Sequence, residues 1–265
     1  MALLKEERLG KKNDIDKSEI HVLKHLDLRW FRPDFVMQYI DIHKRYEPEF
    51  FHANLTVREY LKTIGAAVMS ECDGTYHPTV AGLLMFGNKS TIDQMCDGFL
   101  LDYREIEDGK NNSVYSEMCS SPEWAGNLFE FYLWTFERIR SNVLETCVEL
   151  EDYPDYYVLL DWMIVVALTN YNYWSGDGLI IENRKKEIMI EVPGEYLVPG
   201  MEETKPKDLE ILACMLNRIK FSNCFEGEQF GEYMSTILSE EKRQCAHAKV
   251  NNKPVRNAVF ALKLQ

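Results

Sequence analysis

The 265-residue chain has no long apolar run, no paired metal-ligand cysteines, no phosphate-binding glycine loop and no excess of positive charge. Each absence excludes something. No stretch approaches the length of a membrane span, because Asp161 opens the longest candidate and Asn170 closes it. The start, Met-Ala-Leu-Leu, turns charged at once and does not read as a signal peptide. Seven cysteines are scattered with no Cys-x-x-Cys pair, which removes zinc-ribbon and thioredoxin-like readings. Their odd count and loose spacing fit reduced thiols in the cytoplasm. No P-loop and no nucleophile–base motif stands out, so no catalytic residue, metal or cofactor is expected. The net charge of −13 repels a phosphate backbone, so tight autonomous DNA binding is not expected either. The charge is uneven. Residues 239–265 carry +4 and residues 1–12 carry +2, leaving −19 on residues 13–238.

What is present is a series of helix and strand signals. Residues 1–17 are polar and read as a flexible N-terminus. Ile20, Leu23 and Leu26 sit at one-turn spacing. Pro33 ahead of Phe35, Val36, Tyr39 and Ile40 predicts a helix with proline in its first turn. Thr56 with Glu59 is a capping-box pair, and Gly65 is a natural stop. Residues 72–78 read as a turn with flanking extended chain, and Thr79 can cap a helix that Gly87 ends. These elements suggest a helical, winged-helix-like module over residues 18–90. Beyond it, residues 99–103 predict a strand, 108–113 a loop, 122–148 a long helix and 154 onward an apolar buried helix. Strands near 178–182 and 187–192 flank a polar turn at 182–186. Helices follow near 206–219 and 227–238, and 259–262 read as a last strand. The fold class is therefore α+β, with a two-layer α/β domain and mixed sheet over 91–265.

Two motifs carry a family resemblance. Thr79-Val80-Ala81-Gly82-Leu83-Leu84-Met85-Phe86-Gly87 matches Thr-x-Ala-Gly-Leu-Leu-x-Phe-Gly, and Gly126-Asn127-Leu128 precedes the long helix. With Ile190-Glu191-Val192-Pro193-Gly194 downstream, the order resembles bacterial RecG-like predicted transcriptional regulators, whose C-terminal part is a GHKL-like ATP-binding fold. In that family one helix reads Glu-Ala-Leu-x-Asn-Ala-x-x-His-Arg-Asp-Tyr, placing a water-orienting carboxylate and a magnesium-ligating amide on one face. Here the helix aligns as Trp162 through Tyr173, with Trp162 at the carboxylate position and Val166 at the amide position. Neither side chain can act as a base or bind a hard cation. The Asn of Ile-x-Asn-Pro-Gly is replaced by Val192. The later Gly-x-Gly turn becomes Glu226-Gly227-Glu228-Gln229-Phe230-Gly231, whose carboxylates oppose phosphate.

The resemblance therefore implies a non-catalytic regulatory or scaffold piece, acting by self-association or ligand sensing. Asn170, Asn172 and Gly194 mark its vestigial nucleotide-site region. It also implies an Alba-type DNA-binding domain ahead of this chain's start, so DNA would be met only through a domain absent here. One alternative is a nucleotide-binding, ATPase-like enzyme with a rearranged site. Another is a protein-interaction domain unrelated to DNA. Among the histidines, His21 and His25 could share a helix face and hold a metal, although surface histidines explain them more simply. The rings of Phe129–Phe136 and Tyr153–Trp174 suggest a twofold homodimer interface, with filling of one core as the competing explanation.

Overall fold

In a computed structural model, the structure describes residues 21–96, 99–107, 110–113, 126–146, 154–174, 178–184, 187–193, 210–220 and 257–263. The first helix, α1 (Pro33–Tyr46), starts on proline as predicted and buries Val36, Tyr39, Ile42 and His43. A short 3-10 turn, Pro48–Ala53, leads to α2 (Val57–Thr63). The capping box forms in full: Glu59 N–H donates to Thr56 Oγ1, and Thr56 N–H donates to Glu59 Oε2 at 2.8 Å. Gly65, at φ +80, then reverses the chain in a conformation that a side chain would strain.

Residues 72–78 deliver the expected extended chain as half of a hairpin, β1 (Ala67–Met69) with β2 (Tyr76–Pro78). Helix α3 (Val80–Phe86) follows at once. Thr79 Oγ1 accepts from Gly82 N–H and donates to Gly65 O, so one hydroxyl caps α3 and ties it to the end of α2. All seven residues of α3 are buried, and α4 (Lys89–Met95) continues from it.

The second part is a five-stranded mixed sheet in the order β4-β3-β5-β6-β7. Its strands are β3 (Leu101–Glu107), β4 (Lys110–Ser113), β5 (Leu179–Arg184), β6 (Glu187–Pro193) and β7 (Asn257–Lys263). Only β3 and β5 run parallel; between them the chain passes through α5 (Leu128–Thr146) and α6 (Pro154–Asn170). The remaining pairs are antiparallel. Strand β5 alternates buried and half-buried residues, turning Leu179, Ile181 and Asn183 to one face. The helices cover that face. Trp134 of α5 meets Tyr103 of β3 edge-on, and Arg138 of α5 pairs with Glu105. Helix α6 packs on β6, and α7 (Glu210–Ile219) packs on α6, α1 and α3. The chain is thus mixed α+β, with the helical module seated on α5 and α7.

Several expectations need correction. Residues 21–27 are not helical: Val22 forms a bridge with Thr79, and Leu23 N–H donates to Pro78 O. Leu23 and Leu26 are buried all the same, since a bridge and a turn bring every third residue inward. Lys110–Ser113 is a strand rather than loop; β3 supplies its ladder, so its polar residues need no core. The long helix begins at Leu128, not Pro122, because Asn127 caps it. Glu182, Asn183 and Arg184 belong to β5 rather than to the turn. The N-terminal 1–17 segment, the 227–238 helix, the Glu226–Gly231 turn and Gly194 lie outside the described residues. No helix among the described residues is long and apolar enough to cross a membrane.

Candidate functional site

The two motifs that carried the resemblance meet in space. Asn127 is fully buried between them. Its Nδ2 donates to Gly87 O at 3.0 Å, and its Oδ1 accepts from Glu130 N–H at 2.9 Å. Glu130 reaches back to Gly126 N–H at 2.7 Å, and Gly126 sits at φ +68. One amide therefore fastens the end of α3 to the start of α5. Such a junction needs an acceptor for the helix N–H and a donor for the orphan carbonyl, and the Asn127 amide supplies both.

The region that the resemblance marks as a vestigial nucleotide site has a different character. Trp162 and Val166 lie half-buried on one face of α6 and pack against the hydrophobic core. The carboxylate next to Trp162 in this helix, Asp161, points elsewhere. It is fully buried and accepts from Tyr132 Oη at 2.5 Å, joining α6 to α5. Asn172 is exposed beyond the helix end, and its Oδ1 accepts from Trp174 N–H at 3.1 Å. Asn170 is the last residue of α6, and Gly194 is outside the described residues. Asn170 and Asn172 thus share the C-terminal end of α6, and no ligand-holding arrangement of the three is visible among the described residues.

Among the described residues, Phe129, Phe131, Tyr132, Phe136, Tyr157, Tyr171 and Tyr173 are buried, while Trp134, Trp162 and Trp174 are half-buried. Tyr173 stacks on Phe99 and meets Tyr171 edge-on. The buried rings fill the core between helices and sheet, which is the explanation that competes with an interface.

The densest polar cluster lies where α1, α2 and α7 converge. His43 has no solvent exposure. Its Nδ1 is 2.7 Å from Tyr60 Oη, and its Nε2 is 3.3 Å from both Arg218 Nη1 and Glu47 Oε2. Arg218 also bonds Glu47 at 3.1 Å and lies over the Phe50 ring. Tyr39 Oη donates to Met215 O at 2.8 Å. Burial holds the His43 ring below its ordinary pKa, Glu47 opposes that shift, and Arg218 adds to it. Burial likewise raises the Tyr60 and Tyr39 hydroxyls. A ring without exposure cannot reach a substrate, so this geometry joins parts rather than catalyses.

Glu47 lies four residues on from His43 in the sequence. That spacing on an apolar stripe was the available signal. The His21–His25 pairing fails because no helix forms there, and burial, with His21 nearby, lowers the His25 pKa. His77 spans Leu26 O and Thr75 Oγ1, a turn-pinning role. No group of three His, Cys, Asp or Glu side chains suited to a metal ion occurs among the described residues.

Residues 7–102 match a domain of unknown function, DUF8451. This span takes in α1 to α4 and therefore His43, Glu47 and Tyr60, but not Arg218. A crystal structure of the DIP2311 protein from Corynebacterium diphtheriae is similar at a TM-score of 0.49 and 15% identity. The similarity covers 76% of this chain and 32% of that one. The chain thus spans about a third of the length of that protein. No curated protein matches it.

Proposed function

We propose that this chain is a non-catalytic regulatory or scaffold part of a transcriptional regulator. In this reading a winged-helix-like module is fixed to a GHKL-like domain that has lost its nucleotide chemistry. The observation that carries it is that Trp162 and Val166 pack half-buried against the core, where the resembled family places a base and a metal ligand. A hard cation needs oxygen donors, and an indole and an isopropyl group offer none. The β1–β2 hairpin after α2, and the helices on one face of a mixed sheet, support the two architectural analogies. Analogy of fold is weak warrant for function, so the reading rests on the side chains.

DNA is reached through another domain in this reading. The proposed twofold homodimer now rests on the prevalence of such assemblies, because the described rings that suggested it are mostly buried. Light scattering tests it, and a strictly monomeric mass at high concentration refutes it. The catalytic half of the proposal is tested by phosphate release from ATP with Mg²⁺. Turnover that Val166→Asp abolishes would place a working site at this helix and end the proposal.

A further inference from the structure

We infer that His43 is a proton-operated contact between the helical module and α7, holding Arg218 when neutral and exchanging it for Glu47 when protonated. Donors and acceptors around the ring carry this inference, independently of any nucleotide site. Nε2 lies 3.3 Å from a guanidinium nitrogen and 3.3 Å from a carboxylate oxygen. A guanidinium only donates and a carboxylate only accepts, so one ring nitrogen cannot serve both. In the neutral tautomer this inference assigns, Nδ1–H donates to Tyr60 Oη, 2.7 Å away, and the Nε2 lone pair accepts from Arg218. In the imidazolium both nitrogens donate. Nε2–H then turns to Glu47, and the ring meets Arg218 as a like charge.

The groups facing the ring are Tyr39 and Glu47 from its own helix and cap, Tyr60 from α2, and Arg218 from α7. The segment between α1 and α2 presents the rings of Phe50 and Phe51. Glu47 is therefore the acidic partner and Arg218 the basic one. Arg218 lies in the last turn of α7, so losing its bond to the ring removes one of the ties between that helix and the module, beside Arg218–Glu47 and Tyr39–Met215 O.

The sign follows from the lowered pKa of the folded ring. The unfolded chain takes up the proton near 6.5 and the folded chain only below that. The stability that the neutral ring contributes is full above about 6.5 and is lost as pH falls through the lower folded value, where the contact itself breaks.

The test is hydrogen exchange of α7 amides in the full chain from about pH 8 to about pH 5, corrected for intrinsic rates. The wild type should lose protection as the pH falls, with a midpoint below 6.5. His43→Gln should be flat with pH. Glu47→Gln removes the imidazolium's partner and should move the midpoint down; Arg218→Gln removes the like charge and should move it up. Because Glu47 and Arg218 are partly exposed, those two variants decide the matter even where His43→Gln fails to fold. Constant wild-type protection, the same pH dependence in His43→Gln, or midpoints that stay fixed or move oppositely in the other variants would overturn the inference.

Discussion

Gly82→Ala should destabilise the chain, although alanine is the better helix former by about 1 kcal/mol. The reason is the approach of α3 to β1. A Cβ at position 82 would stand 2.0 Å from Ala66 O, 2.7 Å from its carbonyl carbon and 2.9 Å from its Cα. Carbon atoms pack at about 3.5 Å or more, so α3 would have to retreat by more than about 1 Å. The obstacle is backbone and cannot rotate away. Retreat would stretch Thr79 N–H to Ala66 O, now 3.0 Å, and Thr79 Oγ1 to Gly65 O, now 2.8 Å. Overpacking costs about 1–3 kcal/mol and each weakened bond about 1 kcal/mol. The net after the propensity gain is about 3 kcal/mol, or about 6–12 °C of melting temperature for a domain of this size. Urea and thermal unfolding followed by circular dichroism measure it. Gly74→Ala is the control: nothing lies within 4 Å there, but φ is +70, so only the left-handed penalty of about 1 kcal/mol applies. A Gly82→Ala chain as stable as the wild type, or more so, would refute the close approach.

Two further outcomes are expected. Tyr132→Phe removes a donor from the buried Asp161 carboxylate and should cost about 1–3 kcal/mol in urea unfolding; a loss under about 0.5 kcal/mol would mean the bond between α5 and α6 carries little. Binding to duplex DNA should be weak, about micromolar or weaker at physiological salt, and without sequence preference, given the −13 charge; nanomolar selective binding in a gel-shift series would contradict it.

Local chemistry was legible because it is written in adjacent residues. Thr56 with Glu59, Thr79 before a buried helix, and the alternation in Leu179–Arg184 each state their structure within a few positions. Where distant chain decides the outcome, the reading failed. Leu23 and Leu26 mimic a helical stripe, yet Pro78 and Thr79 hold that segment extended. Lys110–Ser113 looks like a turn until β3 is laid beside it. At the candidate site, the apolar character of Trp162 and Val166 is legible in the sequence itself. The His43 cluster stayed hidden because Arg218 comes from 175 residues away. The rings were visible, but whether they face a core or a partner depends on packing that periodicity does not encode.

The central claim is that the face of α6 carrying Trp162 and Val166 no longer takes magnesium and nucleotide. The most direct measurement is the thermal unfolding midpoint of the chain in excess ATP, with and without Mg²⁺. A ligand at a hundredfold its dissociation constant stabilises by about 2.7 kcal/mol, so occupancy would be plain in the curve. The account predicts the same midpoint in both conditions. A magnesium-dependent rise that Val166→Asp alters and a distant surface substitution does not would contradict it.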